Sequence, residues 1–147
     1  MSNTKIIHNS HNVSILVYHV VCPTKYRRVV LDESVDETLR QVCEGIELRY
    51  DWLRFIEIGV DKDHVHFLVQ STPNYSPTKI VTTIKSITAK QIFAECPQVK
   101  KLLWGGQFWS DGYFVSSVGK YTNESVIREY VKNQGKQDEY KQLKMRV

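Results

Sequence analysis

The order of predicted elements places this chain in the α+β class, as a ferredoxin-like β-α-β-β-α-β antiparallel sheet with one added C-terminal helix. Three observations predict this fold. β-branched runs bounded by turn residues indicate strands, two stretches with apolar residues every three or four positions indicate helices, and a short polar turn indicates a hairpin. No repeat or linker divides the 147 residues. We therefore expect a single domain with its core at about 12–134 and a charged tail at 136–147.

The first strand and the first helix lie in the N-terminal third of the chain. Residues 12–22, "NVSILVYHVVC", are rich in β-branched side chains and are followed by Pro23, which predicts a buried strand. Residues 34–50 carry an apolar stripe with helical spacing. Ser34 and Glu37 match a capping box, so we expect the helix to begin at Ser34.

A hairpin and a second helix follow. Residues 52–60, "WLRFIEIGV", and 64–70, "HVHFLVQ", flank the polar turn "DKD", which predicts two antiparallel strands. Residues 76–96 then predict a helix. Pro77 suits its first turn, and Pro97 is expected to end it.

The last strand and the added helix complete the predicted order. Residues 113–118, "YFVSSV", follow glycine-containing turns and predict a strand. Residues 122–135 predict a helix with Thr122 or Asn123 as its N-cap and Gly135 just past its end.

Composition narrows the class of protein. The chain is 41% hydrophobic and 24% charged, and no apolar run approaches the roughly 18 residues that a membrane span needs. With a polar N-terminus as well, we expect a cytoplasmic protein that makes no membrane contact. Three scattered cysteines outside any C-x-x-C spacing argue against a disulfide framework or a structural zinc site, and we expect them to be buried. The net charge of +4 is compatible with nucleic-acid binding without establishing it.

Two histidines alternate in the third predicted strand. His64 and His66 should point to one face, roughly 6 to 7 Å apart at their Cα atoms, while Val65, Phe67 and Val69 point into the core. Two imidazoles on one face can share a metal ion. The pair by itself is weak evidence for a metal site and favours ordinary packing.

The final helix carries a second group of candidate residues. Tyr130 and Gln134 lie four positions apart, so they share a helical face. The Gln134 carbonyl oxygen is an acceptable ligand for a hard divalent ion. A tyrosine phenol, with a pKa of about 10, needs help to act as a nucleophile, and a metal can supply it by polarising a phosphate. Tyr130 also belongs to an apolar stripe with Val126, Ile127 and Val131, so packing is an alternative role.

Three stretches, "DHVHFLV", "WGGQFWSDGYFVSSVG" and "IREYVKNQ", resemble the single-tyrosine transposases of the HUH class, called TnpA, from bacterial and archaeal insertion sequences. HUH denotes His, a bulky apolar residue and His, which here are His64, Val65 and His66. "VYHVVCPTKYRRVVL" is similar to the family's first strand and the basic segment after it. The motifs keep the family's order across residues 12–134.

The resemblance implies a metal-dependent transposase that cuts single-stranded DNA at the ends of an insertion sequence. The tyrosine attacks phosphorus, which leaves a 5′-phosphotyrosine and a 3′-OH, and a hydroxyl later rejoins the strands without ATP. Tyr130 matches the nucleophile, and His64, His66 and Gln134 match the metal ligands. Mg²⁺ or Mn²⁺ fits this ligand set, and zinc is compatible with it. Gly119 matches a hinge before the tyrosine helix, although a plain turn glycine explains it equally well.

The resemblance also implies partners. Family members bind single-stranded DNA with subterminal hairpins and form homodimers in which the tyrosine helix can complete the partner's site. Lysine and arginine side chains are expected to contact DNA phosphates. Trp104 and Trp109 are expected in the core or a dimer interface rather than as stacking platforms. The candidate phosphate contacts are Lys25, Arg27, Arg28, Lys85 and Lys90.

Two other functions remain open from the sequence. A related HUH endonuclease could process hairpin DNA without mobilising its own gene, and its catalytic residues would be the same. A non-catalytic ferredoxin-like module could bind nucleic acid, since one fold hosts many functions. The strands lack the aromatic pattern of RNA-binding domains, which weakens the second alternative.

Overall fold

A four-stranded antiparallel sheet organises the part of the chain that the computed structural model describes, residues 16–103 and 106–118. The strand order is β2-β3-β1-β4, the order of a ferredoxin-like fold. The predicted class and the predicted β-α-β-β-α-β order are confirmed. The predicted helix at 122–135 lies outside the described residues. The elements are β1 (Leu16–Pro23), α1 (Glu33–Arg49), β2 (Leu53–Val60), β3 (His64–Ser71), α2 (Pro77–Glu95), α3 (Pro97–Leu102) and β4 (Phe114–Ser117).

The two faces of the sheet have different surroundings. One face packs against α1 and α2 to form the main core, and this core contains Val65, Phe67 and Val69, as predicted. Because side chains alternate along a strand, His64 and His66 point to the opposite face. That face holds a smaller apolar cluster of Val17, Ile56, Leu68 and Val118.

The start of α1 differs from the prediction. Asp32, not Ser34, is the N-cap residue, and its carboxylate accepts a hydrogen bond from the Val35 backbone N–H at 2.9 Å. The helix therefore begins at Glu33, and Ser34 lies exposed within its first turn. An aspartate is as good a cap as a serine, and its charge also interacts favourably with the helix dipole. The predicted capping box is wrong by this shift of two residues.

The start of α2 agrees with the prediction, and its end adds a feature. Ser76 accepts a hydrogen bond from the Lys79 backbone N–H at 3.0 Å, and Pro77 is the first helical residue. The helix ends at Glu95, and Pro97 opens the short helix α3. Proline is tolerated in a first turn because its missing N–H would have no partner there.

The predicted burial of the cysteines and of Trp109 is confirmed. Cys22, Cys43 and Cys96 are free and buried. Trp109 is buried, and its indole N–H donates to the Thr88 hydroxyl at 2.9 Å. Trp104 lies outside the described residues. No helix in the two described ranges has both the length and the apolar character to cross a membrane.

Candidate metal centre

Three buried histidines meet on the sheet face opposite α1 and α2. His64 and His66 lie on β3, and His19 lies on the neighbouring strand β1. The ring of His66 stacks on that of His19, with centroids 5.2 Å apart, and meets that of His64 edge-on, with centroids 4.9 Å apart. All three residues are buried, at 0 to 2% exposure. The alternation predicted for His64 and His66 thus places them side by side.

A hydrogen bond joins the rings of His66 and His19. His66 Nδ1 lies 3.0 Å from His19 Nε2, so one nitrogen donates a proton and the other accepts it. If His66 Nδ1 donates, His66 Nε2 carries the lone pair that a metal requires. Burial lowers the pKa of His19 to about 4. Burial, followed by the neighbouring His19 and His64, lowers the pKa of His66 to about 3, so both rings are neutral near pH 7.

A carboxylate orients His64 in a similar way. His64 Nδ1 lies 2.9 Å from Asp63 Oδ1. Burial raises the pKa of Asp63, but hydrogen bonds from His64 and Arg27 outweigh it and keep that pKa below its usual value. The ionised carboxylate therefore accepts the Nδ1 proton and leaves Nε2 as the coordinating atom. Asp61 Oδ2 lies farther away, 3.4 Å from Nε2, on a half-exposed side chain.

This donor set fits a divalent metal ion. Two imidazoles that bind one ion through nitrogens about 2.1 Å away have ring centroids roughly 5 Å apart, close to the separation of His64 and His66. Within residues 16–103 and 106–118, no group of three or more His, Cys, Asp or Glu side chains could hold a metal. An ion at His64 and His66 would therefore need other ligands as well. The predicted third ligand Gln134, the predicted nucleophile Tyr130 and the predicted hinge Gly119 all lie outside the described residues.

The basic segment after β1 is tied to the residue that precedes His64. The Thr24 backbone N–H donates to the Asp63 carbonyl at 2.9 Å, and the Thr24 hydroxyl lies 2.7 Å from the Arg28 carbonyl and 3.1 Å from that of Asp63. Arg27 Nε forms an ion pair with Asp63 Oδ2 at 3.1 Å. The contact between Arg27 and phosphate stays a prediction, and in the structure this guanidinium supports the carboxylate that orients His64.

The other predicted phosphate contacts fall into two groups. Lys25 and Arg28 belong to the same short segment as Thr24, which is bonded to the Asp63 backbone. Lys85 and Lys90 lie on α2, which packs against the other face of the sheet. The Lys85 ammonium donates to the Ser110 carbonyl at 2.7 Å, and Lys90 is exposed. The first group is linked through Thr24 to the residue before His64, while the Lys85 ammonium is linked through Ser110 to Pro23.

Sequence reasoning missed His19 and Asp63 as parts of the site. Strand alternation puts His19 on the same face of β1 as Val17 and Val21. Its contact with His66 depends on the β1–β3 register, in which Val21 pairs with His66 and His19 with Leu68. The sequence signal that could have identified His19 is the presence of a histidine in the strand predicted to lie beside "HVH".

Comparison with known proteins is consistent with this geometry. The family model described as "Transposase IS200 like" matches residues 12–134. The ISDra2 transposase TnpA of Deinococcus radiodurans is 33% identical over 119 residues, which cover 81% of this chain and 84% of that protein. The transposase for insertion sequence element IS200 of Salmonella typhimurium is 29% identical over 125 residues, which cover 82% and 78%.

Solved structures of transposases also resemble this chain. A crystal structure of a candidate transposase from Deinococcus radiodurans R1 has a TM-score of 0.69 at 31% identity, and the match covers 86% of this chain and 96% of that one. A REP-associated tyrosine transposase bound to a REP hairpin has a TM-score of 0.50 at 14% identity, over 89% of this chain and 68% of that one, and supports the fold only. The chain belongs to the IS200-like transposase family.

Proposed function

We propose that this member of the transposase family cuts and rejoins single-stranded DNA at the ends of an insertion sequence, with Tyr130 as nucleophile and a divalent metal as cofactor. The observation that carries the proposal is the pairing of His64 with His66 on one sheet face. Both rings use Nδ1 for a hydrogen bond, at 2.9 and 3.0 Å, which suits coordination through Nε2. Such a pair of oriented, buried imidazoles favours a metal role over ordinary packing.

The proposed reaction exchanges one phosphoester for another. The Tyr130 phenol loses its proton to solvent, and its oxygen bonds to the phosphorus at the cleavage position. The bond from phosphorus to the 3′ oxygen breaks, and that oxygen takes up a proton to become the free 3′-OH. The 5′ end stays linked to Tyr130 until a 3′-OH attacks the same phosphorus and the phenol leaves. Each step makes and breaks one phosphoester bond, so no ATP is required.

His64, His66 and Gln134 are the proposed ligands of the metal, which we infer to be Mg²⁺ or Mn²⁺. When bound, such an ion polarises the phosphate and neutralises charge on its oxygens. Imidazole is a better ligand for Mn²⁺ than for Mg²⁺, and the amide oxygen of Gln134 suits both. The low pKa of His66, about 3, keeps its lone pair available across the neutral range.

His19 and Asp63 are proposed as positioning residues rather than ligands. Each contacts Nδ1 of one proposed ligand, His66 and His64 respectively. Partners of this kind fix the tautomer and the ring orientation of metal-binding histidines, and their loss costs about 10- to 100-fold in metal affinity or activity.

The proposed DNA substrate is single-stranded and carries hairpins near the ends of the element. A structural neighbour is described as bound to a REP hairpin, which is compatible with such a substrate. We also propose a homodimer in which the helix of Tyr130 and Gln134 completes the partner's site and swings about Gly119.

A covalent-adduct assay tests the chemistry. The protein is mixed with single-stranded DNA from the ends of its own locus, with or without Mn²⁺, and resolved on a denaturing gel. We expect a metal-dependent protein–DNA band that is absent in Tyr130→Phe and His64→Ala and present in the control Tyr140→Phe. A band that persists in Tyr130→Phe would assign the nucleophile to another residue. DNA binding with no covalent band would favour a non-catalytic binding module.

A further inference from the structure

We propose that Tyr26 is a stacking platform for an unpaired nucleobase of the DNA strand that enters the His64–His66 site. The inference rests on the proposed function, because it needs single-stranded DNA at this site. It concerns strand binding rather than bond cleavage, so the two can be tested separately.

The backbone at Tyr26 adopts a conformation that residues with a Cβ seldom take. Tyr26 has φ 58° and ψ 19°, and Arg27 has φ 55°, so two consecutive side-chain-bearing residues lie in the left-handed region. Glycine would adopt this turn without strain, yet the chain places an aromatic and a basic residue there. Strain of this kind gathers at functional sites, where the surrounding structure enforces it.

The effect of this turn is to separate two side chains. Arg27 points to Asp63 and forms the ion pair that supports His64. Tyr26 points to solvent with 73% of its surface exposed. An aromatic ring that is mostly exposed contributes little to the packing of the protein itself. An exposed ring on a constrained backbone is, however, the arrangement that stacking on a ligand requires.

The surrounding contacts hold the backbone that carries the ring in a defined place. The Lys25 backbone N–H donates to the Phe108 carbonyl at 2.8 Å, and Thr24 bonds to the Asp63 backbone, one residue before His64. These bonds fix the backbone before Tyr26 to two other segments, and the ion pair of Arg27 with Asp63 fixes the residue after it. Tyr26 follows Thr24 by two residues, and Thr24 is bonded to the residue before His64, so a strand bound at the proposed metal ligands would pass near the ring.

The charge around the ring matches a nucleic acid strand. The Lys25 ammonium lies 5.2 Å from the centroid of the Tyr26 ring, and Arg28 follows two residues later. Single-stranded DNA is bound in general by aromatic rings that stack on bases beside cations that contact the phosphates. Every base offers an aromatic face, so Tyr26 should bind a base with little sequence preference.

Binding measurements in a cleavage-deficient background test this inference. We would use the full-length chain with Tyr130→Phe, a fluorescent single-stranded oligonucleotide from the element end and anisotropy at fixed salt. Tyr26→Gly should weaken binding about 5- to 150-fold, the range for loss of one stacked base, while Tyr26→Trp should stay within a few-fold. Because glycine suits the left-handed turn, Tyr26→Gly should not lower the melting temperature. Leu48→Ala, at an exposed apolar residue of α1, is the matched control and should bind normally.

Two further readouts separate stacking from other roles. A 2-aminopurine base moved along the oligonucleotide should be quenched on binding at one position, and that quenching should be lost in Tyr26→Gly. Binding of fully paired DNA should not change. The proposal would be overturned if Tyr26→Gly had the same DNA affinity and the same quenching as the parent chain. It would also be overturned if light scattering showed that Tyr26→Gly changes only the oligomeric state. If the unmodified chain forms no covalent adduct but these binding effects appear, the stacking role stands and the proposed chemistry fails.

Discussion

Replacing His19 with leucine removes the ring nitrogen that lies 3.0 Å from His66 Nδ1, while keeping a side chain of similar size in a fully buried position. His66 then has no acceptor at that place for an Nδ1 proton. Its ring must either leave this proton unpaired or move it to Nε2, the atom proposed to bind the metal. Both results weaken the metal site. We therefore expect His19→Leu to bind a divalent ion less tightly than the unmodified chain.

The size of the effect follows from the burial of the bond. Leaving a buried donor without a partner costs about 1–3 kcal/mol, which corresponds to a roughly 5- to 150-fold loss in metal affinity. In other metal sites, loss of the residue that hydrogen-bonds a metal-binding histidine lowers metal affinity or activity about 10- to 100-fold, which agrees with this range. His19→Gln provides the matched comparison, since a glutamine amide oxygen can accept a hydrogen bond near the position of the imidazole Nε2. We expect its affinity to stay within a few-fold of the unmodified chain.

The assay is a Mn²⁺ titration of the full-length chain at pH 7.5, followed by the electron paramagnetic resonance signal of free Mn²⁺. It does not depend on DNA or on turnover. The melting temperature in EDTA is recorded for each variant, because an unpaired buried donor should also lower the stability of the metal-free chain, and the titration is run well below the lowest melting temperature. Equal Mn²⁺ affinity in His19→Leu and the unmodified chain would refute the positioning role of His19. Equal losses in the leucine and glutamine variants would refute its role as a hydrogen-bond acceptor.

Three other changes test the remaining contacts and the subunit arrangement. Asp63→Asn should weaken Mn²⁺ binding about 10- to 100-fold in the same titration, because a neutral amide orients His64 less well than a carboxylate does. In EDTA, the free energy of unfolding from urea melts should fall as the pH drops from about 6.5 towards 4, by up to about 1.4 kcal/mol per pH unit for each of His19 and His66. The unfolded chain binds protons on both rings in this window, whereas the folded chain does not, since the folded pKa values are about 4 and about 3. A mixture of His64→Ala and Tyr130→Phe subunits should recover the covalent adduct on a denaturing gel, because a mixed dimer has one complete site if the tyrosine helix acts on its partner.

Each of these has a result that would contradict it. Asp51→Asn is the control for Asp63→Asn, as its exposed carboxylate lies next to the end of β2 that pairs with Ser71, at the other end of β3 from His64. Similar losses in both variants would point to a general charge effect. A free energy of unfolding that is constant between pH 6.5 and 5 would mean that the histidines are not buried in neutral form. If the mixture of His64→Ala and Tyr130→Phe subunits forms no adduct while the unmodified chain forms a strong one, Tyr130 acts in the site of its own subunit.

Periodicity predicted most of the described fold because its elements are long and regular. The strand over 64–70 and the helix over 76–96 were each placed to within one residue. The start of α1 was misplaced because Asp32 and Ser34 are both good capping residues, and local chemistry does not choose between them. Helix α3 was missed because six residues are too few to show a helical period, and Pro97 reads as an end as readily as a beginning.

The site was less predictable than the fold because its support is not local. Alternation within one strand was enough to pair His64 with His66. The contact of His19 with His66 joins residues 47 positions apart, and that of Arg27 with Asp63 joins residues 36 apart. Charge in the "TKYRR" segment predicted phosphate contacts, but it could not show that a left-handed turn would direct Arg27 to a carboxylate.

These distant contacts share one origin, the strand β1, which supplies none of the proposed ligands. The middle of β1 contributes His19, which contacts His66. Its end leads into the turn whose Arg27 holds Asp63 against His64. His66 is thus oriented by a residue of β1, and His64 by Asp63, which a residue of the turn after β1 holds in place. Since β1 and β3 are held together along eight residue pairs, an error in their register would displace both supports at once. The pairing of β1 with β3 therefore sets the geometry of the metal site as much as the two histidines do.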